Sequence, residues 1–352
     1  MRPVAFIPSQ PGVSFALTAA VLFGASTPLA KVLLGTVDPV LLAGLLYLGS
    51  GSGLVLWQWL RYWRRASDSR EARLKRSDLP WLMGAIVTGG VIGPVLLMIG
   101  LATTPASLAS LLLNLEGVFT ATLAWCVFKE HYDRRIVWGM AAIATGGLVL
   151  SWTGRLELSS FWGNGAIIGA CLAWAIDNNL TRKISAGDPV QIAATKGLAA
   201  GMVNLVIAFA AGATVPSMPT VLTAAVVGFL GYGVSLVLFI LALRYIGTAR
   251  TGAYFSLAPF AGATISILVL GDRLTTQLLV AATLMGLGVW LHFTERHAHE
   301  HWHEPLAHEH GHLHDAHHPH GDDEESHSHL HTHQALRHSH PHYPDIHHRH
   351  GH

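Results

Sequence analysis

The sequence predicts an all-α integral membrane protein: ten transmembrane helices as two inverted five-helix repeats, plus a disordered cytoplasmic tail. Three observations carry that expectation. Apolar segments recur at 13–34, 40–60, 80–102, 106–128, 134–152, 163–183, 188–211, 219–243, 249–270 and 274–294. Each is close to the roughly 20 residues that cross a bilayer as a helix. Residues 101–146 also lie without a gap over residues 243–288, at a shift of 142. Finally, residues 297–352 change composition altogether and hold 22 of the 24 histidines.

Composition agrees. The chain is 51% hydrophobic and 12% charged, with a mean hydropathy of +0.41, which excludes a disordered chain and argues against an ordinary soluble domain. The net charge of +1 hides two opposed parts, because residues 1–296 carry 20 Lys/Arg against 12 Asp/Glu while 297–352 carry 2 against 9. Cys126 and Cys171 fall inside apolar segments, so they read as buried single thiols and imply no disulfide.

Taken in order, the first segment has only Arg2 before Val13 and is expected to remain as a helix rather than be cleaved as a signal. Most connections are short and hold helix breakers: Gly35 to Pro39, Thr104-Pro105, Ser185 to Pro189 and Gly212 to Pro219. The exception, Arg61 to Asp78, carries seven Lys/Arg and three acids. Basic loops stay in the cytoplasm. With the N-terminus inside, sixteen Lys/Arg fall on inner loops, while the outer ones keep Arg155 and Arg273, with Lys31 snorkelling to the outer interface. Trp57, Trp59, Trp63 and Trp81 bracket the inner loop, and Trp152 and Trp162 an outer one, as interfacial belts do. Both termini, the tail included, are thus expected in the cytoplasm of a multi-pass membrane protein.

The fourth segment organises the rest. Ser107 to Glu130 is apolar almost throughout yet carries Glu116 near its middle. A carboxylate at the bilayer centre costs about 3 kcal/mol on insertion scales, so it normally faces a partner or a water-filled cavity. The same stretch recurs: Leu101 matches Leu243, Leu115 matches Leu257, Ala121-Thr122 match Ala263-Thr264, Val127 matches Val269, and Glu130 matches Asp272. The second half begins near Asn164, where Leu172 to Lys183 echoes Leu22 to Lys31, and each echo leads into Asp-Pro-Val at Asp38 and at Asp188. Five segments per half is an odd number, so the second copy enters the membrane upside down. Inverted pairs of this kind build transporters.

On those residues the chain resembles the EamA family of the drug/metabolite transporter superfamily. The likeness rests on the two five-segment halves, on Leu115-Glu116-Gly117-Val118-Phe119 and Leu257-Ala258-Pro259-Phe260, and on the endings Phe128-Lys129-Glu130 and Leu270-Gly271-Asp272. It covers residues 13–152 and 163–294. Family members usually carry Glu-Pro at the repeated site; here Glu116 keeps the acid and Pro259 the proline. The resemblance implies an inner-membrane carrier, commonly an exporter of amino acids or other metabolites. It also implies a central cavity lined by the first four helices of each half.

Glu116 is the first candidate for transport chemistry, as a proton or substrate-cation site. Ser107, Ser110, Asn114, Gly117 and Ala121 share its helix at spacings of 3, 4, 3 and 4, a stripe that either lines the path or lets helices approach closely. Asp177 and Lys196 each lie about two turns from the inner turn at 184–188, hence at similar depth on adjacent antiparallel helices. They form a structural ion pair or a gate, with Asn178, Asn179 and Gln191 nearby. Ser256 completes the candidates.

In the tail, His297, His299, His301 and His303, then His308, His310, His312 and His314, then His327, His329, His331 and His333 alternate with other residues. Imidazole suits Zn²⁺, Ni²⁺ and Co²⁺ without needing one geometry, and nothing here supports a packed core. The expected partners are a small-molecule substrate, the lipid bilayer, divalent metal at the tail and a second copy of the chain; no nucleic acid and no required cofactor are expected. Outside the tail only His131 and His292 occur, both near segment ends, with no His-Glu-x-x-His or Gly-x-Ser-x-Gly, so an enzyme is not expected. A divalent-metal efflux carrier and a non-transporting metal sensor are the alternatives to a metabolite carrier.

Overall fold

Asp38 and Asp188 start two helices in the same way. The Asp38 carboxylate accepts from the N–H groups of Val40 (2.9 Å) and Leu41 (3.1 Å), and that of Asp188 from Val190 (2.8 Å) and Gln191 (3.2 Å). Proline follows each, where a missing N–H costs nothing. The Asp-Pro-Val echo is therefore an echo of local structure.

The computed structural model describes residues 11–63, 74–128, 134–152, 158–185 and 187–293, and within the tail 298–303, 306–312, 327–333 and 336–341. The helices are α1 (Pro11–Leu33), α2 (Pro39–Trp63), α3 (Leu79–Ala85), α4 (Gly93–Thr103), α5 (Ala106–Leu112), α6 (Leu115–Phe128), α7 (Arg134–Ser151), α8 (Leu158–Ile184), α9 (Pro189–Ala210), α10 (Met218–Gly228), α11 (Ser235–Phe255), α12 (Ala258–Ile265) and α13 (Thr276–Phe293). π-helical segments at Ile86–Ile92 and Phe229–Val234 join α3 to α4 and α10 to α11, and a third, Ser266–Leu270, follows α12. Six runs among the described residues are long and apolar enough to cross a membrane: Pro11–Leu33, Pro39–Leu60, Arg76–Thr103, Ala106–Val127, Pro189–Ala210 and Met218–Leu243. Val137–Ser151, Ala258–Leu270 and Thr276–Leu291 are shorter apolar helices.

Two boundaries differ from expectation. The fourth segment is not one uninterrupted helix: it breaks at Leu113-Asn114, where Asn114 Nδ2 donates to Leu111 O (3.2 Å) and competes with the backbone ladder. Conversely, α11 runs on through the inner turn expected after residue 243. Nothing between Leu243 and Ser256 is proline or aspartate, and the interruption falls instead at Ser256-Leu257, just before Pro259.

Packing repeats itself across the two halves. α1 lies against α11 and α12, as α8 lies against α4 and α6. α2 pairs with α9, and α7 with α13. The α2–α9 contact is glycine on backbone: a Cβ on Gly51 would overlap Leu198 N, and one on Gly197 would lie 2.6 Å from Gly51 N. Small residues give membrane helices this approach, where dispersion and weak polar contacts do the holding. Large apolar side chains such as Val21, Leu148, Val206 and Leu268 point outward, as lipid contact requires. All six belt tryptophans are exposed.

The sequence predicts a disordered tail. Its backbone instead forms four short strands, β1 (Ala298–His303), β2 (Leu306–His312), β3 (His327–His333) and β4 (Leu336–Pro341), with β1 antiparallel to β4 and β2 to β3. The alternation of histidine with other residues is the period-two pattern that a strand can hold. A two-stranded ladder is nevertheless marginal in water.

Candidate functional site

The break before α6 places Glu116 in that helix's first turn, where the helix dipole favours a negative charge. Glu116 lines a cavity among the helices. The lining comes from α1 (Phe23), α2 (Tyr47), α6 (Glu116), α8 (Trp174, Asp177, Asn178), α9 (Lys196), the second π segment (Gly231, Tyr232) and α11 (Ser235, Leu236, Phe239, Phe255). Asn178 Nδ2 donates to Glu116 Oε1 at 2.7 Å. On the neighbouring residue, Asn179 Nδ2 donates to Ala175 O (2.9 Å) and Thr120 O (3.3 Å), fixing α8 against α6.

Asp177 and Lys196 meet as the depth argument expects. Lys196 Nζ pairs with Asp177 Oδ2, and the two side chains are 4% and 7% exposed. Thr181 Oγ1 donates to the other oxygen, Oδ1, at 2.9 Å. Both carboxylate oxygens are thus occupied, and the pair adds no net charge to the cavity.

The first π segment packs against this pair. A Cβ on Gly89 would overlap Asp177 Oδ2, so only glycine allows the carboxylate this position. The wider turn of a π segment leaves carbonyls without their ordinary helical donors, and side chains from other helices take them. Tyr47 Oη (2.6 Å) and Trp174 Nε1 (3.0 Å) both donate to Gly89 O, and Asn204 Nδ2 donates to Gly90 O (3.0 Å). The second π segment lies 142 residues on, with Gly231 where Gly89 stands, and it too meets other helices closely: a Cβ on Gly231 would lie 2.6 Å from Ser26 Cβ.

The other expected residues divide. Asn114 is buried away from the cavity lining, with Met285 Sδ 3.8 Å from its Nδ2. Ser107 and Ser110 are buried as well, and a Cβ on Gly262 would lie 2.7 Å from Ser110 Oγ; this part of the stripe is therefore helix packing. Ser256 faces Gly117, but its hydroxyl donates to Gly252 O (2.8 Å) in its own helix. Gln191 Oε1 accepts from Leu74 N–H (3.2 Å), outside the cavity. Lys31 does not merely reach for the interface: Nζ donates to Leu101 O (2.6 Å), Ala102 O (3.2 Å) and Thr104 O (3.0 Å), tying α1 to the end of α4. Of the twelve alternating tail histidines singled out above, His297 and His314 lie outside the described residues; the other ten are strand residues whose backbone register alone is described.

Sequence reasoning missed the aromatic wall. Phe23 sits at its centre, with ring centroids of Trp174 and Tyr232 at 5.8 Å and of Phe255 at 5.4 Å. Tyr47 and Tyr232 are 5.3 Å apart. In segments this apolar, an aromatic facing the cavity looks the same as one facing lipid.

Residues 10–152 and 161–294 each match the EamA-like transporter family. An uncharacterized transporter of Methanothermobacter thermautotrophicus is 28% identical over 288 residues, 78% of this chain and 84% of that protein. The uncharacterized transporter YyaM of Bacillus subtilis is 25% identical over 62% of this chain and 74% of its own length. One crystal structure superposes with a TM-score of 0.60 over 81% of this chain and 96% of its own, at 16% identity, a likeness of fold. The chain belongs to the EamA-like transporter family, and is a multi-pass membrane protein.

Proposed function

From that membership we propose that the chain is a secondary carrier exporting a small metabolite by alternating access around the Glu116 cavity. In this reading ten helices form two inverted repeats, 13–152 and 163–294, with both termini cytoplasmic. The exchange of packing partners between α1 and α8 supports it, as do the π segments and helix breaks that recur at the repeat shift. The observation that carries the reading is Glu116, held by Asn178 at 2.7 Å inside a cavity to which α1, α2, α6, α8, α9 and α11 all contribute. Glu116 then serves as proton or substrate-cation site while one set of helices rocks against the other. Reconstituted vesicles, screened across amino acids, amines, nucleosides and metals, test this. Glu116→Gln should abolish flux in a protein that remains folded; normal transport by that variant between about pH 6 and 8 would make the carboxylate structural.

The tail, on this reading, holds Zn²⁺, Ni²⁺ or Co²⁺ at the cytoplasmic face and modulates the carrier. Its register supports the proposal, since His308 stands opposite His331, His310 opposite His329 and His312 opposite His327. Cross-strand partners lie about 5 Å apart, close enough for two imidazoles to share an ion. A divalent metal as direct cargo is less well supported. Among its described residues the cavity lining offers Glu116 and the paired Asp177 but neither histidine nor cysteine, whereas transition metals favour such ligands.

A further inference from the structure

Three features of the cavity bear on its cargo. The first is charge. Among the described residues of the lining, Asp177, Lys196 and Glu116 are the charged ones. Asp177 and Lys196 cancel, with Thr181 on the remaining oxygen of Asp177, so the carboxylate of Glu116 sets the sign. Asn178 is the one described residue that hydrogen-bonds it.

The second is the wall. Phe23, Trp174, Tyr232 and Phe255 make a connected ring cluster beside Glu116. Aromatic faces attract cations and accept flat apolar bodies. The third is an unused polar group. Tyr232 is 6% exposed, and its hydroxyl has no hydrogen-bond partner among the described residues. Ser26 Oγ, whose own proton goes to Phe23 O at 2.6 Å, lies close enough to act on it without closing a hydrogen bond. A buried hydroxyl without a partner is costly, and Tyr232 is one of the residues lining the same cavity as Glu116.

The geometry points to a monovalent organic cation as the cargo class: an amine on an aromatic or apolar body, with no carboxylate of its own. This rests on the Glu116 cavity being the transport site. The ammonium sits against the free side of Glu116, the body lies along the ring cluster, and a polar substituent meets the Tyr232 hydroxyl. Among the described lining residues an anion finds no available cation, because Lys196 is held by Asp177 and pulling it away would strand a buried carboxylate. A zwitterionic amino acid fails for the same reason at its carboxylate end. The site would therefore accept an amine and refuse the parent amino acid.

The test compares one aromatic body with three head charges: 2-phenylethylamine, phenylalanine and 3-phenylpropionate. Binding to the purified full-length protein in nanodiscs is measured by calorimetry with chelator present, so that tail metal does not contribute. The amine should bind at least about tenfold more tightly than either of the others, the difference expected of a charge-assisted contact. Glu116→Gln should lose that preference, and Tyr232→Phe should weaken binding only of ligands carrying a polar substituent such as tyramine. Size-exclusion profiles confirm that both variants are folded. Equal or tighter binding of phenylalanine or phenylpropionate overturns the inference, as does amine affinity that survives Glu116→Gln or an amine that does not bind at all. The two readings fail separately. Glu116-dependent flux of an anion sinks the cargo class and leaves the carrier, whereas Glu116-dependent amine binding with no flux of any cargo does the reverse.

Discussion

Lys196→Met should be far more damaging than the loss of one surface lysine. Asp177 and Lys196 are 7% and 4% exposed at their side chains, so removing the ammonium leaves a buried charge uncompensated. Breaking such a pair from one side costs about 3–5 kcal/mol, whereas replacing both partners with well-packed apolar residues is often neutral or stabilising. The double variant Lys196→Met/Asp177→Leu should accordingly recover most of the lost stability. Thr181, deprived of Asp177 Oδ1, can turn its hydroxyl to the carbonyl one helical turn back. Unfolding of the wild type, both single variants and the double variant in the same detergent gives the coupling energy directly. A Lys196→Met cost below about 1 kcal/mol, or a double variant as unstable as that single one, would refute a buried structural pair. Flux adds a second reading. A folded double variant that transports shows the pair to be scaffold, while one that is folded but inactive would place Asp177 and Lys196 in the transport cycle after all.

Further predictions follow from other contacts. Gly89→Ala should destabilise the fold by about 1–3 kcal/mol, because its methyl overlaps a carboxylate pinned by Lys196 and Thr181; an unfolding midpoint equal to wild type would contradict this. Lys31→Met removes three bonds to the end of α4 and should cost about 1–2 kcal/mol once solvent screening is allowed for. Asp272 accepts from Ser107 N–H at 2.8 Å, so Asp272→Asn, which keeps an acceptor oxygen, should unfold later than Asp272→Ala. Truncation after Arg296 should leave an inserted, active body that has lost bulk Ni²⁺ binding in equilibrium dialysis. Binding by the full chain should fall as pH drops through about 6, since neutral imidazole is the ligand. Equal Ni²⁺ binding by both chains would make the tail inert.

The membrane segments were legible because apolar length is a one-dimensional property: the helix from Pro11 to Leu33 and that from Pro189 to Ala210 fall within two residues of where hydropathy puts them. Glu116 was legible because a carboxylate is expensive in lipid, and the Asp177–Lys196 pair because depth can be counted from a turn. Direction around a helix axis was not. Asn114 and Glu116 are two positions apart, and the break between α5 and α6 turns one into packing and the other into the cavity. The π segments were also hidden. Nothing in the pairs Gly89-Gly90 and Gly231 with Gly233 tells that carbonyls become available there to Tyr47, Trp174 and Asn204.

The two halves share a scaffold while dividing the chemistry, and packing gives the reason. At the repeat shift Ala258 stands where Glu116 stands in the first half. Glu116 is part-exposed to the cavity, but Ala258 is 1% exposed, and a Cβ on Gly24 would overlap its carbonyl. A carboxylate at 258 would have to push α1 away from α12. The same exchange works in the other direction: Tyr232 replaces Gly90, whose added Cβ would lie 2.6 Å from Ala200 Cβ, so no ring fits in the first half. The acid can come only from one half and the unpartnered hydroxyl only from the other. On the proposed reading, the approximate symmetry of the two halves therefore leaves the cavity with one uncompensated charge and a single orientation for what it binds.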